Sequence, residues 1–248
     1  MLKRSLKEFV KHSLGRFGWQ LRSLGPDSMR GALKVLADAG VNPKVVFDIG
    51  VHAVGTPELY AAFPDAKFIL VEPAAEFTQD IKKIISGLKD AELIVAAASD
   101  RVQTGTLKIT RNSYVHTHLV DQADEEYKKS SLVDYVEVPI VTVDSLSNDR
   151  QLTGPFVLKI DVDGVDLEVL KGSVGILPKT DVVIIEAPLH SVTERANFLE
   201  SYGFVLWGIV DPVYFGSKLW QVDLIFIGAR LADKAEIRPW TAPGFKFA

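Results

Sequence analysis

The sequence predicts an α/β domain: a mostly parallel seven-stranded sheet with helices on both faces and an antiparallel strand at its close. Three observations predict it. Short apolar runs rich in β-branched residues, KVVFDIG (44–50), KFILVEP (67–73), FVLKID (156–161) and VVIIEA (182–187), are separated by helix-like segments, the pattern of repeated βαβ units. The first two runs enclose a loop with glycines at Gly50 and Gly55 and end on acids, Asp48 and Glu72. The last two runs, 204–210 and 222–227, are joined through Asp211 to Gln221 without a convincing helix, so they should pair antiparallel.

A length of 248 residues suits one domain with a large core, and 47% hydrophobic with 24% charged residues is ordinary for a globular protein. A net charge of −4 argues against a polyanion binder, so no nucleic-acid partner is expected. The absence of cysteine excludes disulfides, thiolate metal sites and a cysteine nucleophile. No apolar run reaches the roughly 18 residues of a spanning helix. The first residues lack the continuous apolar core of a signal peptide. A soluble, cytoplasmic protein is expected.

Residues 1–27 read as a basic N-terminal unit, 28–232 as the domain and 233–248 as an aromatic, Pro/Gly-rich tail. In residues 1–24, Lys3, Arg4, Lys7, Lys11, Arg16 and Arg22 face a lone acid, Glu8, while Leu2, Leu6, Phe9, Val10, Leu14 and Phe17 recur at helical spacing. Such a helix can lie peripherally on an anionic membrane or dock its apolar stripe on the domain or a partner subunit. Ser28 is placed to cap a helix over 29–39, closed by Gly40. A helix is expected over 74–86 and a third buried strand over 93–98, ending in Ser99-Asp100. Residues 104–150 read as a β-rich insertion with a mobile loop, built on strands at 106–110 and 136–143; Pro139 suggests an edge or irregular position. His116 and His118 alternate within it, a weak metal signal better read as solvated loop histidines.

The Gly50 loop discriminates among nucleotide cofactors. A dinucleotide site wants G-x-G-x-x-G, because the middle glycine admits a pyrophosphate close to the backbone. Here His52 stands at that position and four residues separate Gly50 from Gly55, which favours a ligand without a pyrophosphate. S-adenosyl-L-methionine meets that condition: loop N–H groups suit its carboxylate, and Glu72 can accept from both ribose hydroxyls. The plainer reading is an ordinary turn with two glycines. An adenine beside the third strand would meet Ser99-Asp100, though Asp100 reads equally well as a turn acid.

The run Val157-Leu158-Lys159-Ile160-Asp161-Val162-Asp163-Gly164-Val165-Asp166-Leu167-Glu168-Val169-Leu170-Lys171-Gly172 resembles the K-I-D-V-(E/D)-G-x-E-x-x-V-L-x-G signature of the FkbM family of S-adenosylmethionine-dependent methyltransferases. The resemblance spans roughly residues 40–228, through Asp48-Ile49-Gly50, Glu72-Pro73, Ala97-Ala98-Ser99-Asp100, Val141-Thr142-Val143-Asp144 and Glu186. It implies a class I methyltransferase (Rossmann-like) fold and O-methylation of a hydroxyl on a sugar, glycan or related natural product. Carried over, Asp48, Gly50, Glu72 and Ser99-Asp100 would line the cofactor, with Asp161 at its methyl end; His52, Gly55, Thr56 and Pro73 complete the expected cofactor set. The usual G-A-N-x-G loop is here Gly50-Val51-His52-Ala53-Val54-Gly55, a residue longer and without the asparagine.

An alcohol needs a base, and Asp161, closing the strand beside the switch point, is the first candidate for that base or for orienting the acceptor. The competing role is capping the next helix. His190 is the other candidate. Asp161, Glu186 and His190 together offer too few ligands to assign a metal. Asp163 and Asp166 read as helix-start acids, and Lys159, inside a buried strand, should be paired or reach toward solvent. The rival to an enzyme is a non-catalytic binding or assembly partner in glycan synthesis, and a lesser one is a nicotinamide enzyme.

Overall fold

A computed structural model describes residues 25–110, 118–120, 133–234 and 236–237. The basic segment 1–24, His116, the charged stretch from Asp124 to Lys129 and the tail 239–248 lie outside the described residues.

The main sheet runs β10-β11-β9-β8-β1-β2-β3. Its strands are β1 (Val45–Ile49), β2 (Lys67–Val71), β3 (Asp90–Ile94), β8 (Phe156–Ile160), β9 (Thr180–Pro188), β10 (Phe204–Phe215) and β11 (Lys218–Gly228). β1, β2, β3, β8 and β9 are mutually parallel, while β11 pairs antiparallel with both β9 and β10. This is the class I methyltransferase architecture, with the antiparallel strand that the missing helix foretold inserted between β9 and β10. The chain reverses direction along the sheet order at β1, and the carboxyl ends of β1 and β8 form the crevice where open α/β sheets hold ligands.

Strand alternation builds two cores. Val46, Phe68, Val157, Ile184 and Ile225 point to one face, where α1 (Met29–Asp38), α2 (Pro57–Ala62) and α3 (Thr78–Ser86) bury Leu33, Leu36, Leu59 and Ile81 against them. Phe47, Ile69, Leu158, Ile185 and Phe226 point to the other, against Leu146 of α4 (Val143–Asp149), Leu170 of α5 (Asp166–Lys171) and Leu199 of α6 (Val192–Ser201). Ser28 caps α1 by accepting from the Gly31 N–H at 3.2 Å, and Gly40 follows at φ +85°.

Three boundaries differ from expectation. The third strand is β3, at the sheet edge and only half-buried, not 93–98; its acids pair with charges, Asp90 with Lys67 at 2.9 Å and Glu92 with Arg150 at 2.7 Å. The chain then leaves this sheet, and β4 (Ala97–Ala98) joins a second sheet ordered β4-β7-β5-β6, with β5 (Gln103–Thr110), β6 (His118–Val120) and β7 (Val133–Val141). Strand β7 stops at Val141 because Thr142 and Ser145 form a reciprocal capping box that starts α4. Pro139 is internal to the sheet order, but β4 covers only Ile140 and Val141 of β7. Finally, the link through Asp211–Gln221 is strand: Tyr214 and Leu219 face each other across a turn at Gly216, φ +60°, and irregular pairing around Asp211, φ +47°, bends the ribbon.

α5 and α6 are tied by an ion pair between Asp166 and Arg195, whose side chains are 2% and 6% exposed. Asp166 Oδ1 and Arg195 Nε find no further partner. Removing one member strands the other charge, so Arg195→Leu is expected to cost about 3–5 kcal/mol in urea unfolding, and the double change Asp166→Leu/Arg195→Met to recover most of that loss.

Candidate functional site

The same alternation that builds the first core selects the site's polar groups. Along β1 the face of Val46 continues to Asp48; along β8 the face of Val157 continues to Lys159 and then Asp161. On β9 it reaches Glu186 from Ile184, and on β11 it reaches Asp223 and Gln221 from Ile225. Neighbouring strand ends thus bring one lysine, four carboxyls and an amide to a single corner.

Lys159 is buried there, its Nζ donating to Asp161 Oδ2 at 2.8 Å and lying 3.7 Å from Asp48 Oδ1. Burial alone would push the ammonium down, but Asp48 and Asp161 hold it well above the usual lysine range. Asp48 is wholly buried, accepting from Tyr60 Oη at 2.6 Å and from Thr56 Oγ1 at 3.3 Å. Burial raises its carboxyl, against the pull of Lys159 and Tyr60. It braces the loop from beneath and is not among the residues that line the cleft.

The loop follows. Gly50 has φ +85°, and a Cβ there would stand 1.8 Å from the Asp161 carbonyl, so the ends of β1 and β8 approach as only glycine permits. The Gly55 N–H closes the turn on the Val51 carbonyl at 2.9 Å. His52, φ +52°, is exposed and packs against Phe77 in a tilted pair with ring centroids 4.1 Å apart. Its N–H donates to Glu72 Oε2 at 2.8 Å, and the Ala74 N–H donates to Oε1 at 2.9 Å. Burial pushes the Glu72 carboxyl up, and these two N–H groups oppose the shift. They also fix its direction and leave each oxygen lone pairs for a ligand.

These groups line a cleft of about 310 Å³ that includes Gly50, His52, Gly55, Thr56, Glu72, Pro73, Phe77, Asp161 and Glu186. Small-molecule sites run upward from roughly 300 Å³. Its far wall is Ala96, Ala97, Ala98 and Leu107, supplied by the second sheet and its approach. Ser99 and Asp100 are not part of that wall. The Ser99 N–H is held by the Val141 carbonyl, its own carbonyl packs on Gly172, and Asp100 pairs with Arg101 at 3.1 Å. His190 lies exposed on a short 3₁₀ turn outside the cleft. Among the described residues no group of three His, Asp or Glu side chains is gathered to hold a metal.

A second cavity abuts the first, sharing Gly55, Thr56, Lys159 and Asp161 and adding Ser28, Arg30, Glu58, Asp211 and Asp223. Sequence reasoning missed Asp223, Gln221 and Tyr60. The signal for the first two was present: polar residues at alternate positions leading into the apolar run Leu224–Ile227 mark a strand end turned toward a crevice.

Glu186 receives a hydrogen bond from Gln221 Nε2 and lies directly across the ladder from Asp223. Burial, with Asp161 and Asp223 nearby, pushes its carboxyl to about 8 from the ordinary 4.5. Asp223 rises to about 6, through burial opposed by Lys159. A carboxyl raised in the folded state binds its proton more tightly than in the unfolded chain. Its contribution to stability is therefore lost as pH climbs from about 4.5 through about 8. Glu186→Gln should escape that loss. Against wild type its stability should gain about 1–3 kcal/mol between weakly acidic and weakly alkaline buffer, a figure reduced for partial exposure, as urea midpoints at both pH values would read.

Residues 48–206 match the family described as Methyltransferase FkbM domain. No curated protein matches the chain. Among solved structures it is similar to a precorrin-6y C5,15-methyltransferase from Geobacter metallireducens, at 13% identity and TM-score 0.41, over 79% of this chain and 86% of that one. It is similar also to an rRNA methylase from Streptococcus thermophilus, at 11% identity and TM-score 0.45, over 79% and 93%. A third is fibrillarin from Aeropyrum pernix with natively bound S-adenosyl-L-methionine, at 11% identity and TM-score 0.40, over 79% and 73%. With a family match over more than half its length, the chain belongs to the FkbM methyltransferase family, and it is an S-adenosylmethionine-dependent methyltransferase.

Proposed function

We propose that the enzyme methylates a hydroxyl oxygen of a sugar, glycan or related natural product. The observation that carries this reading is Asp161: its carboxylate borders both cavities, is 43% exposed, and is steadied by the buried ammonium of Lys159. The residues fit the cofactor. The Gly50 cradle has no room for a Cβ, Glu72 offers aimed lone pairs to a ribose diol, and Phe77 with Ala96 to Ala98 makes an apolar wall suited to adenine.

Bound S-adenosylmethionine supplies an electrophilic methyl group on a sulfonium. The remaining work is placement and proton removal. A hydroxyl held in the second cavity against Asp161 would be oriented by an acceptor oxygen, and Asp161 would take its proton as that oxygen receives the methyl group the bound cofactor would supply. Lys159 holds that carboxylate in place through its 2.8 Å hydrogen bond. Glu58, Asp211 and Asp223 favour an acceptor rich in hydroxyl donors and disfavour a polyanion such as RNA.

Calorimetry with S-adenosylhomocysteine, then labelled methyl transfer to a panel of neutral glycosides and hydroxylated natural products, tests the proposal. Nucleoside binding without transfer to any hydroxyl would favour the non-catalytic alternative. Glu72→Ala should weaken S-adenosylhomocysteine binding by about 30-fold or more, since it removes the diol acceptor and orphans two N–H groups. Asp161→Asn should lower kcat by about 10²–10⁴-fold while changing S-adenosylhomocysteine affinity far less, a split that separates proton removal from cofactor binding.

A further inference from the structure

The polar corner of the cleft holds a second carboxyl, Glu186, that takes no part in removing the acceptor's proton. It lies near the end of β9 and lines the cleft with Asp161 and Gln221. Strand register places its neighbours. Ile160 of β8 pairs with Ile185 of β9, so one step further along brings Asp161 beside Glu186. On the other side Asp223 of β11 stands directly across the ladder. Adjacent strands are about 4.8 Å apart, so three carboxyls stand in a row on one face.

The cations nearby are already engaged. Lys159 donates to Asp161 at 2.8 Å and lies 3.7 Å from Asp48. Asp223, raised by burial, is also drawn down by Lys159. Arg195 is paired with Asp166 of α5. Asp163 and Asp166 add their charges to those of Asp161 and Asp223 around Glu186. The one hydrogen bond that Glu186 receives among the described residues comes from the Gln221 amide, onto Oε1. A neutral amide orients a carboxyl without balancing its charge, and Oε2 keeps its lone pairs. Like charges a strand apart that share one ammonium do not all stay ionised, so the proton settles on the member without a cation. The value of about 8 at Glu186, raised by burial and then by Asp161 and Asp223, agrees with that placement.

The cofactor visits this corner in two charge states. S-adenosylmethionine carries a positive sulfur, and the S-adenosylhomocysteine left after transfer carries a neutral one. Glu72 and the apolar wall of Phe77 and Ala96 to Ala98 suit the nucleoside, which leaves the Gly50 loop, Asp161 and Glu186 for the sulfur-bearing remainder. A cation in a partly desolvated space favours the ionised form of a neighbouring carboxyl. We propose that Glu186 is a specificity-determining residue that tells the methyl donor from its demethylated product, releasing its proton to solvent when the sulfonium enters and keeping it beside the neutral thioether. The product thereby forfeits an ion-pair partner that the donor holds, which favours exchange of spent cofactor for fresh. The inference uses the cofactor and not the methyl acceptor, so it stands or falls apart from the hydroxyl chemistry proposed above.

Calorimetry of the full-length chain in two buffers of different ionisation enthalpy counts the protons exchanged on binding. At about pH 7.5 the wild type should release about half a proton more with S-adenosylmethionine than Glu186→Gln does, with no such difference for S-adenosylhomocysteine. The cofactor's own amino group titrates alike in both proteins, so the comparison isolates Glu186. Between about pH 6 and about pH 8 the preference of the wild type for donor over product should rise about tenfold more than that of the variant. Infrared difference spectra give a reading on the wild type alone: the protonated-carboxyl band should vanish on binding the donor and persist on binding the product. Proton release undiminished in Glu186→Gln, or a carboxyl band that responds alike to both nucleosides, would overturn the assignment.

Discussion

Lys159 lies within a parallel strand with its side chain only 6% exposed, and two carboxylates, Asp48 from the neighbouring strand and Asp161 two residues on, are what keep it charged. Withdrawing either acid would leave this buried cation with a single charged partner. The arrangement has consequences in both directions. Through Asp48 it reaches Tyr60 and Thr56 and so fixes the start of α2 beneath the glycine loop. Through Asp161 it sets the one carboxylate shared by the two cavities. Loop shape and the shared carboxylate are thereby linked through a single ammonium.

The pattern of strands was legible because its signal is collective. Repeated β-branched runs of five or six residues fix strand number, and the absence of a helix before the last run fixes its direction. The long family-like segment from Val157 to Gly172 identified the cofactor more firmly than the glycine loop did. Lys159 was legible as a buried cation needing a partner, though not which partners. Glu72 was read as a ligand-facing acid; its two backbone donors depend on a left-handed His52 that composition does not announce.

Asp48, Ser99, Asp100 and His190 show where local reading stops. Asp48 stands in the family motif and at a strand end, both signals of a cofactor contact, yet parity assigns it to the face that α2 covers. Ser99 and Asp100 were aligned with the end of a third strand. The chain leaves that strand at Ile94 and enters another sheet at Ala97, and no periodicity distinguishes one broken strand from one long one. His190 follows β9 closely in sequence but sits past the 3₁₀ turn that carries it outward. Asp223 went unread for the opposite reason: its strand was recognised, but its ladder partner Glu186 is 37 residues away along the chain and is set by antiparallel register.

The two-residue strand β4 divides ownership of the cleft. Its floor and its acids belong to the parallel sheet, whereas Ala97, Ala98 and Leu107 on the opposite wall belong to the smaller sheet, whose interior is Val138, Ile109 and Ile140. Ala97 and Leu107 pack in that smaller interior, whereas Ala98 packs with the core of the main sheet and joins the two. A change of bulk at Val138 or Ile140 would therefore press on the wall through Ala97 and Leu107, at a distance in the fold from the carboxyls of the parallel strands.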